Sequence, residues 1–120
     1  MTIHELTPML RTKDMKETLD FYTRVLGFRC EASSEEWGWA CVKRDRVTVM
    51  IALPNQREPF DRPVFTGSLY LRTDDVEGAW RDLKDRARVC HPIEDFGYGM
   101  REFAIYDNNG YLLQFGQEIP

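Results

Sequence analysis

The sequence LRTKD at residues 10–14 recurs 61 residues further along as LRTDD at residues 71–75. In both copies a short apolar stretch precedes the motif, and apolar residues at helical spacing follow it. Because the likeness extends to both sides of the motif, duplication explains it better than chance. The sequence therefore predicts two units of about 60 residues, each with the same order of secondary-structure elements.

Each predicted unit contains one strand, one helix and three further strands, in the order βαβββ. Each helix is expected to begin after an Asp N-cap with a Glu three residues later, Asp14 with Glu17 and Asp74 with Glu77, which is a capping-box arrangement. Gly27 is predicted to end the first helix. The predicted strands are residues 6–12, 28–33, 37–43 and 46–53, then 67–73, 88–91, 100–106 and 111–115. The expected fold class is α+β in a single domain, with modules at residues 5–53 and 66–116 joined by a proline-containing linker at 54–65.

Composition argues against several classes of protein. Sixteen Lys and Arg against twenty Asp and Glu give a net charge of −4, which does not favour a nucleic-acid partner. The apolar runs are too short to cross a bilayer, and no apolar signal segment follows the first residues. Three cysteines without a C-x-x-C motif do not indicate a disulfide framework. We therefore expect a cytoplasmic domain with neither a nucleic-acid nor a membrane partner.

Three stretches resemble the vicinal oxygen chelate superfamily, which contains glyoxalases, extradiol dioxygenases, fosfomycin-resistance enzymes and bleomycin-resistance proteins. They are residues 10–14, FYTRVLGF at 21–28 and DNNGYLL at 107–113. TPML at 7–10 and GW at 38–39 look most similar to the bleomycin-resistance branch. The turn at 107–110 departs from the Asp-Pro-Asp-Gly that is usual in the family. The resemblance implies an incomplete eight-stranded barrel around a concave pocket, usually in a homodimer.

The resemblance also implies where a metal would lie in the enzymes of this superfamily. Their ligands, typically His, Glu, His and Glu, come from the first and last strand of each module. Those positions fall here on Thr7, Met50, Ser68 and Gln114, with Ile51 in place of Met50 if the register slips by one. Hydroxyl, thioether and neutral amide groups are poor ligands for an exchangeable divalent ion. We therefore expect no metal and no other cofactor.

Strand alternation predicts a pocket lining that suits an organic molecule of moderate size. Aromatic rings can stack on such a ligand, methionine adapts to its shape, and a few polar groups fix its orientation. The predicted ligand-binding residues are Thr7, Met9, Trp37, Trp39, Met50, Ser68, Tyr70, Tyr98, Glu102 and Gln114. In the bleomycin-resistance branch, an aromatic residue near the position of Tyr98 stacks on the drug. The alternative for the aromatic residues is ordinary packing in the core or in a dimer interface.

Several functions are compatible with this pattern. The leading hypothesis is a metal-independent protein of the bleomycin-resistance type that sequesters an aromatic drug-like compound or metabolite in a dimer pocket, with no catalytic residue. The second is an enzyme of the superfamily, a lyase or isomerase, that uses Glu102 or Tyr70 for proton transfer. A metal-dependent lyase or dioxygenase comes third because its ligands are missing, and a purely structural role comes last.

Overall fold

The chain forms two compact units with the same order of elements. A computed structural model describes all of residues 1–120 and divides them into Met1–Asp61 and Arg62–Pro120. Each unit contains one short α-helix and one open four-stranded mixed sheet. The predicted α+β fold of two βαβββ modules is therefore confirmed.

The first unit contains four strands and a helical segment between the first two. Its elements are β1 (Met9–Arg11), α1 (Met15–Asp20), a π-helical turn (Phe21–Val25), β2 (Arg29–Ser34), β3 (Trp39–Arg44) and β4 (Val47–Ala52). The strands lie in the order β1-β4-β3-β2. Only β1 and β4 are parallel; the other neighbours are antiparallel, as expected for consecutive strands joined by short turns.

The second unit repeats this arrangement. Its elements are β5 (Leu69–Arg72), α2 (Val76–Leu83), β6 (Arg88–Asp95), β7 (Met100–Tyr106) and β8 (Leu112–Glu118). The strands lie in the order β5-β8-β7-β6, and β5 is parallel to β8. Neither α1 nor α2 combines the length and the apolar character needed to cross a bilayer.

The parallel strand pair of each unit shows which residues correspond. Met9 lies opposite Met50 in the first unit, and Tyr70 lies opposite Gln114 in the second. Met9 and Tyr70 occupy the same position of the sequence repeat. Met50, rather than Ile51, therefore corresponds to Gln114. The one-residue slip in register that would have placed Ile51 at the metal position does not occur.

Both helices begin after an Asp, but the second begins one residue later than predicted. The side chain of Asp14 accepts a hydrogen bond from the Glu17 amide, and that of Asp75 accepts one from the Gly78 amide, each at 2.9 Å. The prediction of Asp74 as the second N-cap is therefore wrong. Two adjacent aspartates made the choice ambiguous, although the repeat itself aligns Asp14 with Asp75.

The predicted capping boxes are replaced by a threonine arrangement. The amide of each N-cap residue donates at 3.1 Å to a threonine hydroxyl, Thr12 for Asp14 and Thr73 for Asp75. The glutamate is therefore not needed at that amide, and Glu77 instead pairs with an arginine of β7. The hydroxyl of a threonine two residues before the N-cap thus accepts the hydrogen bond that, in a capping box, a glutamate three residues after the N-cap would accept.

One face of each sheet packs against its helix and forms the core of that unit. Ala40, Val42 and Ile51 are fully buried in the first unit. In the second unit the ring of Phe103 lies 5.2 Å from that of Trp80 on α2, and it also stacks on Phe115 at 4.9 Å. Because side chains alternate along a strand, the residues between these buried ones lie on the opposite face. We call this opposite face the open face of each unit.

Three of the predicted ligand-binding residues lie outside the strands to which they were assigned. β1 begins at Met9 and β5 begins at Leu69, so Thr7 and Ser68 lie just before these strands. Trp37 lies in the turn before β3, where its side chain is 79% exposed, and it was wrongly placed within that strand. The bend to Gly38, whose φ is +58°, delays the start of β3 until Trp39.

Candidate ligand-binding site

The open face of the second unit carries a nearly buried carboxylate. Glu102 lies on β7, one residue before the core residue Phe103, and is only 3% exposed. Its Oε2 accepts a hydrogen bond from the Tyr70 hydroxyl of β5, and its Oε1 accepts one from the Tyr98 hydroxyl of the β6–β7 loop. Two phenol donors, rather than a Lys or Arg, therefore stabilise this carboxylate.

A glycine makes the contact between Tyr70 and Glu102 possible. Gly116 on β8 is the register partner of Glu102, and a Cβ atom built on Gly116 would lie 1.9 Å from the Tyr70 hydroxyl oxygen. A side chain at this position would therefore occupy the space that the phenol uses. Sequence reasoning missed Gly116, although a glycine inside a strand is a known sign of close approach by a neighbouring group.

Both tyrosines are held in the protonated form. Burial, together with the hydrogen bond to Glu102, raises the pKa of Tyr70 to about 12. The hydrogen bond to Glu102 also raises the pKa of Tyr98. At a pKa of about 12 only about one Tyr70 in 100,000 is ionised at neutral pH. The phenols are thus hydrogen-bond donors, and Tyr70 is poorly suited to act as a general base.

The raised pKa of Tyr70 predicts a specific loss of stability in alkali. Between the ordinary tyrosine pKa and about 12, the folded protein binds more protons than the unfolded chain. The stabilisation is complete below about pH 10 and is lost as the pH rises toward 12. Urea unfolding should show stability falling more steeply above about pH 10 in the wild type than in Tyr70→Phe. Equal slopes would contradict this interpretation.

Two of the four metal positions of the family are occupied by groups that bond to each other. The Ser68 hydroxyl donates to Gln114 Oε1 at 2.6 Å, so both residues are already partnered. In the first unit the Met50 sulfur accepts from Trp39 Nε1 at 3.2 Å. No group of three or more His, Cys, Asp or Glu side chains is placed to share a metal ion. These donors do not fit the ligand set that divalent ions take in this fold.

The open face of the first unit is apolar and rich in sulfur. Trp39 lies on β3 with its indole against Met50 of β4, and Met9 lies beside Met50 on β1 with 47% of its surface exposed. Cys41, the register partner of Met50, completes this row, and burial raises the pKa of its thiol. This face offers contact surface rather than reactive groups.

The loop between β6 and β7 presents aromatic rings at the second unit. Phe96 and Tyr98 stack with centroids 5.4 Å apart and an interplanar angle of 11°. The amide of Gly99 donates to the Phe96 carbonyl at 3.0 Å and closes the turn. Tyr98 is 67% exposed although its hydroxyl reaches Glu102. The structure thus brings together Tyr70, Tyr98 and Glu102, with Ser68 directly before β5 and Gln114 on β8 of the same sheet.

A separate groove of about 480 Å³ lies on the helix side of the second unit. It is lined in part by Trp80, Ile93 and Arg101. The Arg101 guanidinium is already bonded to Asp95 at 2.6 Å and to Glu77 at 3.0 Å. Arg101, Asp95 and Glu77 of this groove therefore satisfy each other, and the groove contains none of the predicted ligand-binding residues.

Comparisons with known proteins agree with this architecture. The sequence model of the Glyoxalase/Bleomycin resistance protein/Dioxygenase superfamily matches residues 2–115. No curated protein matches the chain. A bleomycin resistance determinant encoded on the transposon Tn5 is 26% identical over 98% of this chain and 100% of its own, with a TM-score of 0.78.

Two further solved structures share the fold at lower identity. A superfamily member from Sphaerobacter thermophilus is 22% identical over 98% of both chains, with a TM-score of 0.82. TioX from Micromonospora sp. ML1 is 20% identical over 97% of this chain and 99% of its own, with a TM-score of 0.76. Because the family match spans almost the entire repeat and the same fold recurs over whole chains, this protein belongs to the Glyoxalase/Bleomycin resistance protein/Dioxygenase superfamily.

Proposed function

We propose that this chain is a metal-independent binding protein that sequesters an aromatic drug-like compound or metabolite. The observation that carries the proposal is the exposed ring of Tyr98, stacked on Phe96 and joined to Glu102 on the open face. An exposed stacked pair next to fixed polar groups is the combination that binding sites for planar molecules use. The likeness to the Tn5 bleomycin resistance determinant supports an antibiotic-resistance role of this kind.

The mechanism requires no bond to be made or broken. A planar ligand would stack on the Tyr98 ring, and Ser68 and Gln114 would orient its polar groups. The Trp39–Met50 surface of the first unit is a separate apolar surface that could bind a planar molecule by itself. Each ring contact contributes about 0.5–1.5 kcal/mol beyond area burial, which corresponds to about two- to tenfold in affinity.

Titration with planar aromatic compounds, bleomycin included, tests this proposal. Calorimetry should detect binding and give the affinities of the variants. Tyr98→Ala should weaken binding at the second unit, and Trp39→Ala should weaken binding at the first unit, each by about two- to tenfold or more. Phe65→Ala is the matched control, because this ring is 57% exposed and lies outside the strands. Equal affinities in all four proteins would contradict the proposed site.

An enzymatic function is the second candidate, and the near-complete burial of Glu102 is the observation that favours it. A carboxylate in such a place could transfer a proton in a lyase or isomerase reaction. Mass spectrometry of the same titration mixtures distinguishes the two candidates. Unchanged compounds support sequestration, whereas a product that disappears in Glu102→Gln would favour the enzyme.

We also propose that the protein acts as a homodimer. Residues 1–8 form no strand, and Ile3 and Leu6 are 78% and 86% exposed. Such apolar side chains, together with open sheet edges, are normally covered by another chain. Pro8 fits an edge position or an exchanged arm. Light scattering should give twice the 14.1 kDa chain mass at micromolar concentration, and removal of residues 1–6 should shift it toward the monomer.

A further inference from the structure

The charge on Glu102 has no cationic partner. Its two carboxylate oxygens accept only from phenols, and the nearest arginines pair elsewhere. Arg101 is bonded to Asp95 and Glu77 on the helix side, and Arg72 is bonded to Glu118. Glu102 is 3% exposed and bonded only to neutral donors, so no cation of the protein occupies the place beside its two oxygens.

The surroundings of Glu102 increase this preference for positive charge. Its register partner on β6 is Glu94, another acid, which takes part in no ion pair. The rings of Tyr70 and Tyr98 lie around the carboxylate, and the faces of aromatic rings attract cations. An anionic group at this place would meet two carboxylates and no available basic side chain.

The two tyrosines differ in how easily a ligand can displace them. Tyr70 lies on β5 and occupies the space above Gly116 within the sheet. Tyr98 lies in the short β6–β7 loop and is 67% exposed, so most of its ring borders solvent. Movement of Tyr98 into solvent uncovers Glu102 Oε1 while Oε2 remains bonded to Tyr70.

We propose that the aromatic ligand carries a cationic nitrogen, which replaces the Tyr98 hydroxyl on Glu102 and lies against the aromatic rings of the open face. This inference rests on the proposed binding function and specifies the chemical class of its ligand. A protonated amine beside a planar ring, or a protonated heteroaromatic ring, satisfies both requirements. A neutral donor could make the hydrogen bond but would leave the charge uncompensated.

Three naphthalene probes test the charge requirement directly. They are 2-naphthylmethylammonium, 2-naphthalenemethanol and 2-naphthoate, which share one ring system and differ in charge. Two-dimensional amide NMR titrations at neutral pH measure weak binding and show whether Glu102 and Gly116 respond. The ammonium probe should bind about ten- to a hundredfold more tightly than the alcohol, because its hydrogen bond is charge-assisted. The naphthoate should bind more weakly than the alcohol.

Two variants and one control test whether the preference for the ammonium probe depends on Glu102. Glu102→Gln should reduce ammonium binding to the level of the alcohol, whereas Glu77→Gln, on α2, should leave it unchanged. Tyr98→Phe keeps the ring and removes the displaced hydroxyl, so ammonium binding should tighten by about two- to tenfold. If Glu102→Gln does not fold, the affinities of the three probes and of the Tyr98→Phe variant still test whether the ligand must be cationic.

The possible failures can be told apart. Equal affinities of the ammonium and alcohol probes would overturn the cationic ligand and leave aromatic binding in place. Retention of the ammonium preference in Glu102→Gln would also overturn it. Failure of all three probes to shift any open-face amide at millimolar concentration would count against aromatic binding itself.

Discussion

Replacing Asp107 by alanine is expected to destabilise the second unit by about 3 kcal/mol. Asp107 is 6% exposed, and its Oδ1 accepts hydrogen bonds from the amides of Asn109, Gly110 and Tyr111 at 2.9–3.0 Å. Alanine would remove this side-chain acceptor from the Asn109 and Tyr111 amides in the turn that joins β7 to β8, whereas the Gly110 amide also donates to the backbone carbonyl of Asp107 at 3.1 Å. The cost of unpaired buried donors is about 1–3 kcal/mol each, and partial access of water reduces the sum.

Urea unfolding provides the measurement for this prediction. Asp107→Asn retains one side-chain oxygen as acceptor and should lose clearly less stability than Asp107→Ala. Asp85→Ala is the control, since this exposed carboxylate should change stability by no more than about 0.5 kcal/mol. If the Asp107 and Asp85 alanine variants unfold at the same urea concentration, the turn does not depend on the carboxylate.

Most of the fold could be predicted because its signals are local. The repeated motif, the helical spacing after it and the turn at 107–110 each act within a few residues. Errors arose where neighbouring residues offered equivalent choices. Asp74 and Asp75 can both cap a helix, and Trp37 and Trp39 both fit the alternation of β3. Contacts with the rest of the unit decide between such pairs.

The face of each candidate residue was also accessible from the sequence, because alternation along a strand needs only one buried residue as a reference. Ala40 and Phe103, both fully buried, place Trp39 and Glu102 on the open faces. The contact between Tyr70 and Glu102 joins residues 32 positions apart. No local pattern specifies that pairing, since it depends on the register of three strands.

The repeat has produced two open faces with different chemistry. By register, Trp39 faces Ala52 in the first unit, and Glu102 faces Gly116 in the second. Trp39 thus corresponds to Glu102, and its indole bonds to a methionine sulfur where Glu102 bonds to phenols. The two units share one strand order and the same cross-strand register at these positions, so different side chains give their open faces different chemistry.

Gly116→Ala is expected to disrupt the open face of the second unit and to cost about 3 kcal/mol of stability. Its methyl group would lie 1.9 Å from the Tyr70 hydroxyl oxygen and 2.6 Å from the ring carbon that bears it. Tyr70 must therefore leave Glu102, which removes one donor from a nearly buried carboxylate. The pKa of Tyr70 should then fall from about 12 toward its ordinary value, which absorbance in alkaline solution measures.

A second glycine substitution and a double variant show whether the loss of stability comes from the clash with Tyr70 or from the added methyl group in general. Gly97→Ala adds the same methyl group where nothing lies within 4 Å, so it should be nearly neutral. In a Tyr70→Ala background the space above Gly116 is empty, so adding Gly116→Ala should cost little. The two substitutions should then show a coupling free energy of about 2 kcal/mol. If the losses of stability from Gly116→Ala and Tyr70→Ala simply add, the cost of Gly116→Ala does not depend on the Tyr70 phenol. Gly116 would then be needed for the backbone of β8 instead.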